Sequence, residues 1–268
     1  MDKIVSHEQL LGFIHEIRAL RQGFVTNFYW DEMKHPYWIG CGDLLYERFK
    51  DCALLIRKNA GFYNLFYLAT NLETAAKYVK ELSLDKDCVV DMVFKGENIG
   101  GELFERAGFK PYSHLYRMSH FGQLATSDWQ IDPCVKVANE EDIVSVFNAL
   151  NEYFDPLCEQ LPSFQELKDF AARQELLMAK SDGNNSSFLI FQIFGNTTWY
   201  WRYWFTWPEY RNSGVGSKLL KSALAMCKDT IRQQLWVKAD NENAIKRHEH
   251  YGFKREMMND YVMIKTKK

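Results

Sequence analysis

The segment WFTWPEYRNSGVGSKLL, residues 204–220, places Arg211, Gly214 and Gly216 between an aromatic stretch and a leucine-bearing periodic one. This order predicts a strand that passes through a glycine loop into a helix. The first N–H groups of such a helix have no internal partners, and the helix dipole favours negative charge there. Glycine allows close approach of a ligand, and the planar donor fork of arginine suits phosphate oxygens. The segment therefore predicts a phosphate or pyrophosphate site.

Neither of two common nucleotide-binding motifs fits this loop well. A dinucleotide-binding fingerprint needs a third glycine, but Leu219 stands at that place after Gly214 and Gly216. The phosphate loop of nucleoside triphosphatases needs a lysine after its last glycine, whereas Ser217 follows Gly216 here. A nucleotide-binding protein remains an alternative, which predicts stabilisation by ATP or NAD.

A second segment, NENAIKRHEHYGF at residues 241–253, begins about thirty residues after Arg211. The glycine loop, read as R-x-x-G-x-G, resembles motif A of the GNAT superfamily of acyl-CoA N-acyltransferases. The second segment resembles the N-x-x-A-I-x-x-Y-E-x-x-G-F pattern of the same family. Its matching residues are Asn241, Ala244, Ile245, Glu249, Gly252 and Phe253. The resemblance implies an N-acetyltransferase that moves an acetyl group from acetyl-CoA to a primary amine.

The two halves of the chain end on related sequences. Aligning Gly108-Phe109 with Gly252-Phe253 shifts the numbering by 144 without a gap, which predicts a duplicated domain. With the resemblance, this implies an α/β fold of the mixed α+β type. It would contain two GNAT-like domains, each a central mixed β-sheet flanked by helices. We predict a degenerate copy at residues 1–122 and the catalytic copy at residues 131–268.

The same shift places residues 67–72, YLATNL, opposite Arg211 to Gly216. The arginine and both glycines are absent from this stretch. Side chains there would obstruct close approach to the following helix start. We therefore predict that the first domain has lost the pyrophosphate cradle.

Local patterns within the second half predict particular elements. Ser163 is a plausible N-cap, and Glu166 completes a capping box. The stretch TTWYWRYWFTW, residues 197–207, carries bulky side chains on both faces of a period-two alternation, which favours a central strand covered on both sides. A bulge, as the family shows, would exchange the two faces partway. A buried Arg202 would need a partner, either a substrate carboxylate or an internal Glu or Asp.

The resemblance assigns the acetyl-CoA site residue by residue. The pyrophosphate would lie on the backbone amides of Arg211, Asn212, Ser213, Gly214, Val215, Gly216 and Ser217. The pantetheine arm would be lined by backbone groups of Phe205, Thr206 and Trp207, where the family splays two parallel strands apart. Asn241 would help to hold the arm. No metal is implied.

The catalytic residues depart from the family pattern. His248 occupies the position of the tyrosine that protonates the departing thiolate, and an imidazole that titrates near ~6.5 could act as the acid. Tyr251 is a weaker alternative. No carboxylate lies on the strand before the loop, so the general base is not assigned. Asp260 and Tyr261 are guesses for groups beside the acceptor.

Composition limits the partners. The 268 residues carry a formal net charge of -2, which gives no electrostatic reason to expect nucleic acid or an anionic membrane. The six cysteines have no short metal-type spacing, and the N-terminus has no signal-peptide pattern, so we expect reduced thiols and a cytoplasmic protein. We expect a small-molecule or peptide amine as acceptor, with the oligomeric state open. A non-catalytic acyl-CoA-binding or interaction module is the alternative function.

Overall fold

The computed structural model describes residues 1–97, 100–122, 130–195, 197–226 and 230–267. Contacts group them into two compact units, Met1–Leu115 with Met258–Lys268, and Tyr116–Met257. Most of the predicted domain boundary, residues 123–129, lies outside the described residues. Assignment of 1–122 and 131–268 as the duplicated domains stays a prediction.

The first unit contains a mixed sheet with helices on both faces. Its helices are α1 (His7–Ala19), α2 (Lys34–Cys41), α3 (Leu72–Glu81) and α4 (Gly101–Arg106). Its strands are β1 (Asp2–Lys3), β2 (Val25–Thr26), β3 (Leu44–Arg48), β4 (Cys52–Lys58), β5 (Phe62–Ala69) and β6 (Asp87–Lys95). Strand β7 (Lys110–Phe121) begins in this unit and ends in the second.

The second unit repeats this order of elements. Its helices are α5 (Glu140–Tyr153), α6 (Pro156–Glu159), α7 (Phe164–Ala172), α8 (Val215–Met226) and α9 (Glu242–His250), with a short 3-10 helix at Pro208–Tyr210. Its strands are β8 (Val135–Val137), β9 (Leu176–Ser181), β10 (Asn184–Phe194), β11 (Thr198–Thr206) and β12 (Arg232–Lys238). Strand β13 (Lys254–Lys265) begins here and ends in the first unit. The predicted capping box at Ser163 and Glu166 is confirmed at the start of α7.

Each unit is completed by the closing strand of the other half of the chain. The strand order is β1-β3-β4-β5-β6-β13 in the first unit and β7-β12-β11-β10-β9-β8 in the second. Strand β13 pairs antiparallel with β6 from Met258–Lys95 to Lys265–Cys88. The last residues therefore group with the first unit, which differs from their predicted place in the second.

Apolar side chains cover both faces of each sheet. In the first unit one core lies under α3 and α4 and the other under α1 and α2. In the second unit one core lies under α8 and α9 and the other under α5 and α7. The predicted fold class, a mixed sheet flanked by helices in each half, is confirmed. In the described part of the chain, no helix combines the length and hydrophobicity needed to cross a bilayer.

Strand β11 contains the predicted bulge. On β10, Ile190 pairs with Tyr203 and the next residue pairs with Trp201, so Arg202 is the extra residue. Trp199 and Trp201 consequently pack in the core under α8, while Tyr203 and Phe205 pack in the core under α5 and α7. The bulge thus lets one aromatic strand fill both faces of the sheet.

The connection that leads into α3 in the first unit differs from the connection that leads into α8 in the second. Strands β7 and β13 have equal lengths and are offset by 144, as the alignment requires. Before α3, however, only residues 70–71 follow β5, whereas residues 207–214 connect β11 to α8. The ungapped placement of residues 67–72 opposite the glycine loop is therefore wrong, because residues 67–69 continue a strand. The first half lacks the loop itself.

Candidate functional site

An open cleft of about 990 Å³ lies in the second unit, at the start of α8. Strand β11, the glycine loop and α9 supply its walls. The lining residues are Trp204, Phe205, Thr206, Tyr210, Arg211, Asn212, Gly214, Gly216, Ser217, Asn241, Asn243, Ala244, Lys246, Arg247, His248, His250 and Tyr251. The two sequence segments that carried the family resemblance therefore meet at one site.

The cleft forms where two parallel strands separate. Strands β11 and β12 pair from Thr198–Arg232 to Trp201–Leu235, and both strands continue beyond that pairing, to Thr206 and Lys238. Strand β10 still pairs with β11 up to Thr206, so β11 stays in the sheet while its other edge opens. The predicted splay of the strands is confirmed.

The two glycines of the loop have different roles. Gly214 has φ +86°, and a Cβ added there would have no atom within 4 Å, so the space above it is open. At Gly216 a Cβ would lie 2.6 Å from Thr206 Oγ1. Gly214 therefore leaves room for a ligand, and Gly216 lets the first turn of α8 pack against β11.

The start of α8 presents backbone donors to this space. The first helical hydrogen bond runs from the Lys218 N–H to the Gly214 carbonyl, at 3.1 Å. The amides before it have no partner within an ideal helix, although Val215 N–H reaches Ser213 Oγ at 3.4 Å. Arg211 extends over the cleft from the end of β11, where its Nε donates to the Thr206 carbonyl at 3.2 Å. This combination suits an anionic group.

His248 lies in the cleft wall, with its ring centroid 5.8 Å from that of Trp204 and 5.7 Å from that of Phe253. Burial and, to a smaller extent, the nearby Arg247 charge lower the pKa of His248 to about 4. The imidazole is therefore neutral near pH 7, which disfavours its predicted role as a protonated general acid. The sequence did not reveal this, because it does not show that α9 buries the ring.

Two buried polar atoms of this wall have no hydrogen-bond partner in the described structure. They are Trp204 Nε1 and His248 Nδ1. A tryptophan Nε1–H can only donate, and an unpaired buried polar atom costs free energy. Both residues line the cleft, so a bound ligand could supply the partners.

Tyr251, the second acid candidate, does reach the cleft. Its hydroxyl lies 2.5 Å from Ser217 Oγ, in the first turn of α8. The phenol is thereby held beside the helix start.

Asn241 lies at the start of α9 and lines the cleft. Its side-chain oxygen accepts from the Ala244 N–H at 3.1 Å, which makes it the N-cap of the helix. The residue predicted to hold the ligand arm thus also fixes the position of α9.

Some predicted binding residues are not part of the cleft lining. The Trp207 ring packs on Phe188 and Phe205, and the Trp207 backbone N–H donates to the Ser186 carbonyl. Val215 is buried in the core under α8. Ser213 Oγ donates to the Tyr210 carbonyl at 2.6 Å. These side chains shape the loop.

Arg202 is also absent from the cleft lining. Its Nη1 donates to Gln192 Oε1 at 2.9 Å and its Nη2 to the Gln160 carbonyl at 3.5 Å. These hydrogen-bond partners are neutral oxygens of the protein, and the negative charge of the Glu166 carboxylate, an internal Glu, also raises the pKa of Arg202. The bulge turns the guanidinium toward α6, which the sequence pattern could not show.

The two guessed acceptor residues have contacts within the first unit. Tyr261 Oη donates to the Gly96 carbonyl at 3.1 Å, and its ring stacks on His114 at 4.4 Å. Burial raises the pKa of Asp260 well above its usual range, and the neighbouring Asp91 raises it further. Neither observation assigns a general base.

Sequence reasoning missed most of the α9 side of the cleft and two lining residues outside α9, Trp204 and Tyr210. The missed residues are Trp204, Tyr210, Asn243, Ala244, Lys246, Arg247 and His250. On α9, positions 243, 246, 247 and 250 follow the i, i+3, i+4, i+7 spacing of one helix face. That spacing, counted from the cap at Asn241, was the available signal.

The comparison with protein families agrees with this site. Residues 143–253 match the family described as Acetyltransferase (GNAT) family. This part of the chain is similar to GNAT acetyltransferase domains. No curated protein matches the chain.

Solved structures resemble the fold over both halves. A putative GNAT-family acetyltransferase from Novosphingobium aromaticivorans DSM 12444 is 16% identical, with TM-score 0.55 over 80% of this chain and 89% of that one. A GNAT-family acetyltransferase from Colwellia psychrerythraea is 14% identical, with TM-score 0.58 over 99% of both chains. A tandem GNAT protein from the clavulanic acid biosynthesis pathway is 11% identical, with TM-score 0.60 over 98% and 97%. These likenesses establish a tandem GNAT-like fold.

Proposed function

We propose that the protein is an acetyl-CoA-dependent N-acetyltransferase acting on a primary amine. The observation that carries the proposal is the open space at Gly214, at the start of α8, where the first helical hydrogen bond is donated by the Lys218 N–H. The pairing of β11 with β12 ends at Trp201–Leu235, and the β11 residues beyond it, Trp204 to Thr206, line the same cleft. Its cytoplasmic location and a small-molecule or peptide acceptor are part of the same proposal.

The residues of the cleft fit an acyl-CoA. A diphosphate suits the helix start and Arg211, because backbone donors and a fixed cation both favour negative charge. The unpaired Trp204 Nε1 offers a donor to the polar groups of a pantetheine arm. In the described residues no group of His, Cys, Asp and Glu is placed to hold a metal ion.

Acyl-CoA supplies a thioester, and the acceptor amine attacks its carbonyl directly in a ternary complex. The protein then contributes mainly by positioning, together with backbone donors for the negative charge that develops. We assign proton delivery to Tyr251 in place of His248, because its hydroxyl is held beside the start of α8 in the cleft lining. The Ser217 hydroxyl orients the Tyr251 hydroxyl within the cleft.

A thermal-shift experiment with CoA and acetyl-CoA tests binding. Ligand at 100 times its Kd should stabilise the wild type by about 2.7 kcal/mol, a shift of several degrees. Gly214→Trp should abolish this response, because the side chain would fill the open space. Its unliganded Tm should also fall, since φ +86° is strained for any other residue.

Gly183→Trp is the matched control. Gly183 has φ +81°, also with no atom within 4 Å of an added Cβ, but it lies in the β9–β10 turn outside the cleft lining. It should lose similar stability and keep the full response to CoA. An equal response of both variants to CoA would refute the proposed site.

Catalysis is tested separately, by thiol release from acetyl-CoA with a panel of primary amines. Release that requires an amine, and that drops in Tyr251→Phe, supports the enzyme. Binding without release over the whole panel would favour the non-catalytic module, which the neutral His248 motivates. Stabilisation by ATP or NAD but not by CoA would favour a nucleotide-binding protein.

A further inference from the structure

One face of α9 turns three basic side chains toward the cleft. Lys246, Arg247 and His250 all line it, and together we call them the α9 basic face. Arg211 lines the same cleft from the glycine loop. None of the described lining residues is an Asp or a Glu. The cleft therefore carries more positive charge than one diphosphate at the helix start requires.

The α9 basic face lies along the cleft. Its residues share a face with Asn243, and seven positions of a helix span about 10 Å. Arg211 and the start of α8 line the same cleft. A ligand with its diphosphate at the start of α8 therefore has the α9 basic face within the same cleft.

Contacts within the protein neutralise only part of the positive charge of the α9 basic face. The guanidinium of Arg247 lies 5.6 Å from the Trp204 ring centroid, so the aromatic wall holds it over the cleft. Lys246 Nζ lies 3.1 Å from Glu242 Oε2, with the two side chains 73% and 77% exposed. Such an exposed pair contributes little, and the lysine can exchange it for a phosphate.

We propose that the α9 basic face binds a second phosphate of the ligand, on the ribose of its nucleotide. This inference rests on the proposed function, and there the group is the 3′-phosphate of CoA. The site would then distinguish CoA from dephospho-CoA. The 2′-phosphate of a dinucleotide has the same chemistry, so the experiment must separate the two sources.

Calorimetric titration of the full chain with CoA and dephospho-CoA tests the inference. CoA should bind about tenfold or more tightly at low salt, because the contact is charge-assisted. The difference should shrink at high salt, since the groups are exposed and screened. Adenosine 3′,5′-bisphosphate should compete with CoA better than the 2′,5′-isomer, and the reverse order would overturn the assignment to CoA.

Variants locate the contact. Arg247→Gln should remove most of the preference for CoA, Arg247→Lys should retain much of it, and Lys246→Gln should reduce it. Lys254→Gln removes an equal charge outside the cleft lining and should leave it unchanged. Equal affinities of wild type for the two ligands would overturn this inference and leave the proposed function intact. Failure of both ligands to bind would overturn both.

Discussion

In both units a strand with a parallel partner leads into a helix, but the connection between strand and helix differs between the two units. In each unit two parallel strands pair at four positions and then continue beyond that pairing. In the second unit a loop of residues 207–214 follows, and the start of α8 opens to a cleft. In the first unit residues 70–71 suffice, and Asn71 caps α3 by accepting from the Thr74 N–H at 2.8 Å.

The gap between the strands is also filled differently. In the first unit Asn27 bridges it: Nδ2 donates to the carbonyls of Leu65 and Asp91, and Oδ1 accepts from the Tyr67 N–H. Among the described hydrogen bonds, no side chain bridges β11 and β12 in this way. A protein side chain thus satisfies in one unit the groups that a ligand arm would meet in the other. The first unit therefore lacks the glycine-loop sequence and also has a protein side chain between its two parallel strands.

The largest expected effect is on stoichiometry. Because Asn27 fills the first gap and Asn71 caps α3, we expect one CoA bound per chain. Equilibrium dialysis at saturating CoA should give one equivalent for the wild type and none for Gly214→Trp. A second equivalent that survives in the variant would show that the first unit binds CoA despite its closed gap.

Asn27→Ala should destabilise the first unit by about 2–3 kcal/mol, because three backbone groups lose hydrogen bonds worth about 1 kcal/mol each. Hydrogen exchange of the β5 and β6 amides should accelerate, while CoA affinity stays at the wild-type value. The matched control is Asn151→Ala, whose Nδ2 donates to the Phe147 carbonyl on an exposed helix face. It should change stability by less than about 0.5 kcal/mol.

Each unit also contains a histidine that burial keeps neutral. Burial lowers the pKa of His35 to about 3 and that of His248 to about 4. The unfolded chain, with pKa near 6.5, binds the proton first, so stability is full above pH 6.5 and falls between there and the folded pKa. Each loss amounts to a few kcal/mol at most.

Phenylalanine variants separate these two contributions. His35→Phe and His248→Phe should each flatten the pH dependence of unfolding between pH 4 and 6.5, relative to wild type. Denaturant unfolding at several pH values measures this pH dependence of the free energy of unfolding. A pH dependence identical to wild type in His248→Phe would show that folding does not lower the pKa of His248, and would restore the residue as a candidate acid.

The smallest effects come from two asparagine caps. Asn71 caps α3 and Asn241 caps α9, and each replacement by alanine should cost about 1 kcal/mol. Only Asn241 lines the cleft, so only Asn241→Ala should also weaken CoA binding. If Asn71→Ala weakened CoA binding equally, the effect would reflect general destabilisation and the contrast between the units would fail.

Local signals made much of the second unit predictable. The capping box of α7, the splay after β11 and the bulge at Arg202 are associated with residues close together in sequence or with a family pattern. Helix α6 was missed because four residues, Pro156–Glu159, are too few for periodicity to be detected.

The remaining features depend on residues far apart in the chain. Asn27 reaches carbonyl groups 38 and 64 positions away, and no local pattern points to either. His248 was predicted as the acid from its position in the family pattern, but its neutral state depends on burial against β11. The loop missing from the first half was hidden because an alignment without gaps conceals a deletion.

Strands β7 and β13 each pair with a strand from the other half of the chain, which limits how the coding sequence can be divided. A cut between residues 122 and 131 would take β13 from β6 in one fragment and β7 from β12 in the other. Neither fragment could keep the strand partners that it has in the whole chain. The two halves of the chain are therefore not separable modules, and recombination that swaps in one half from a relative must supply two compatible closing strands.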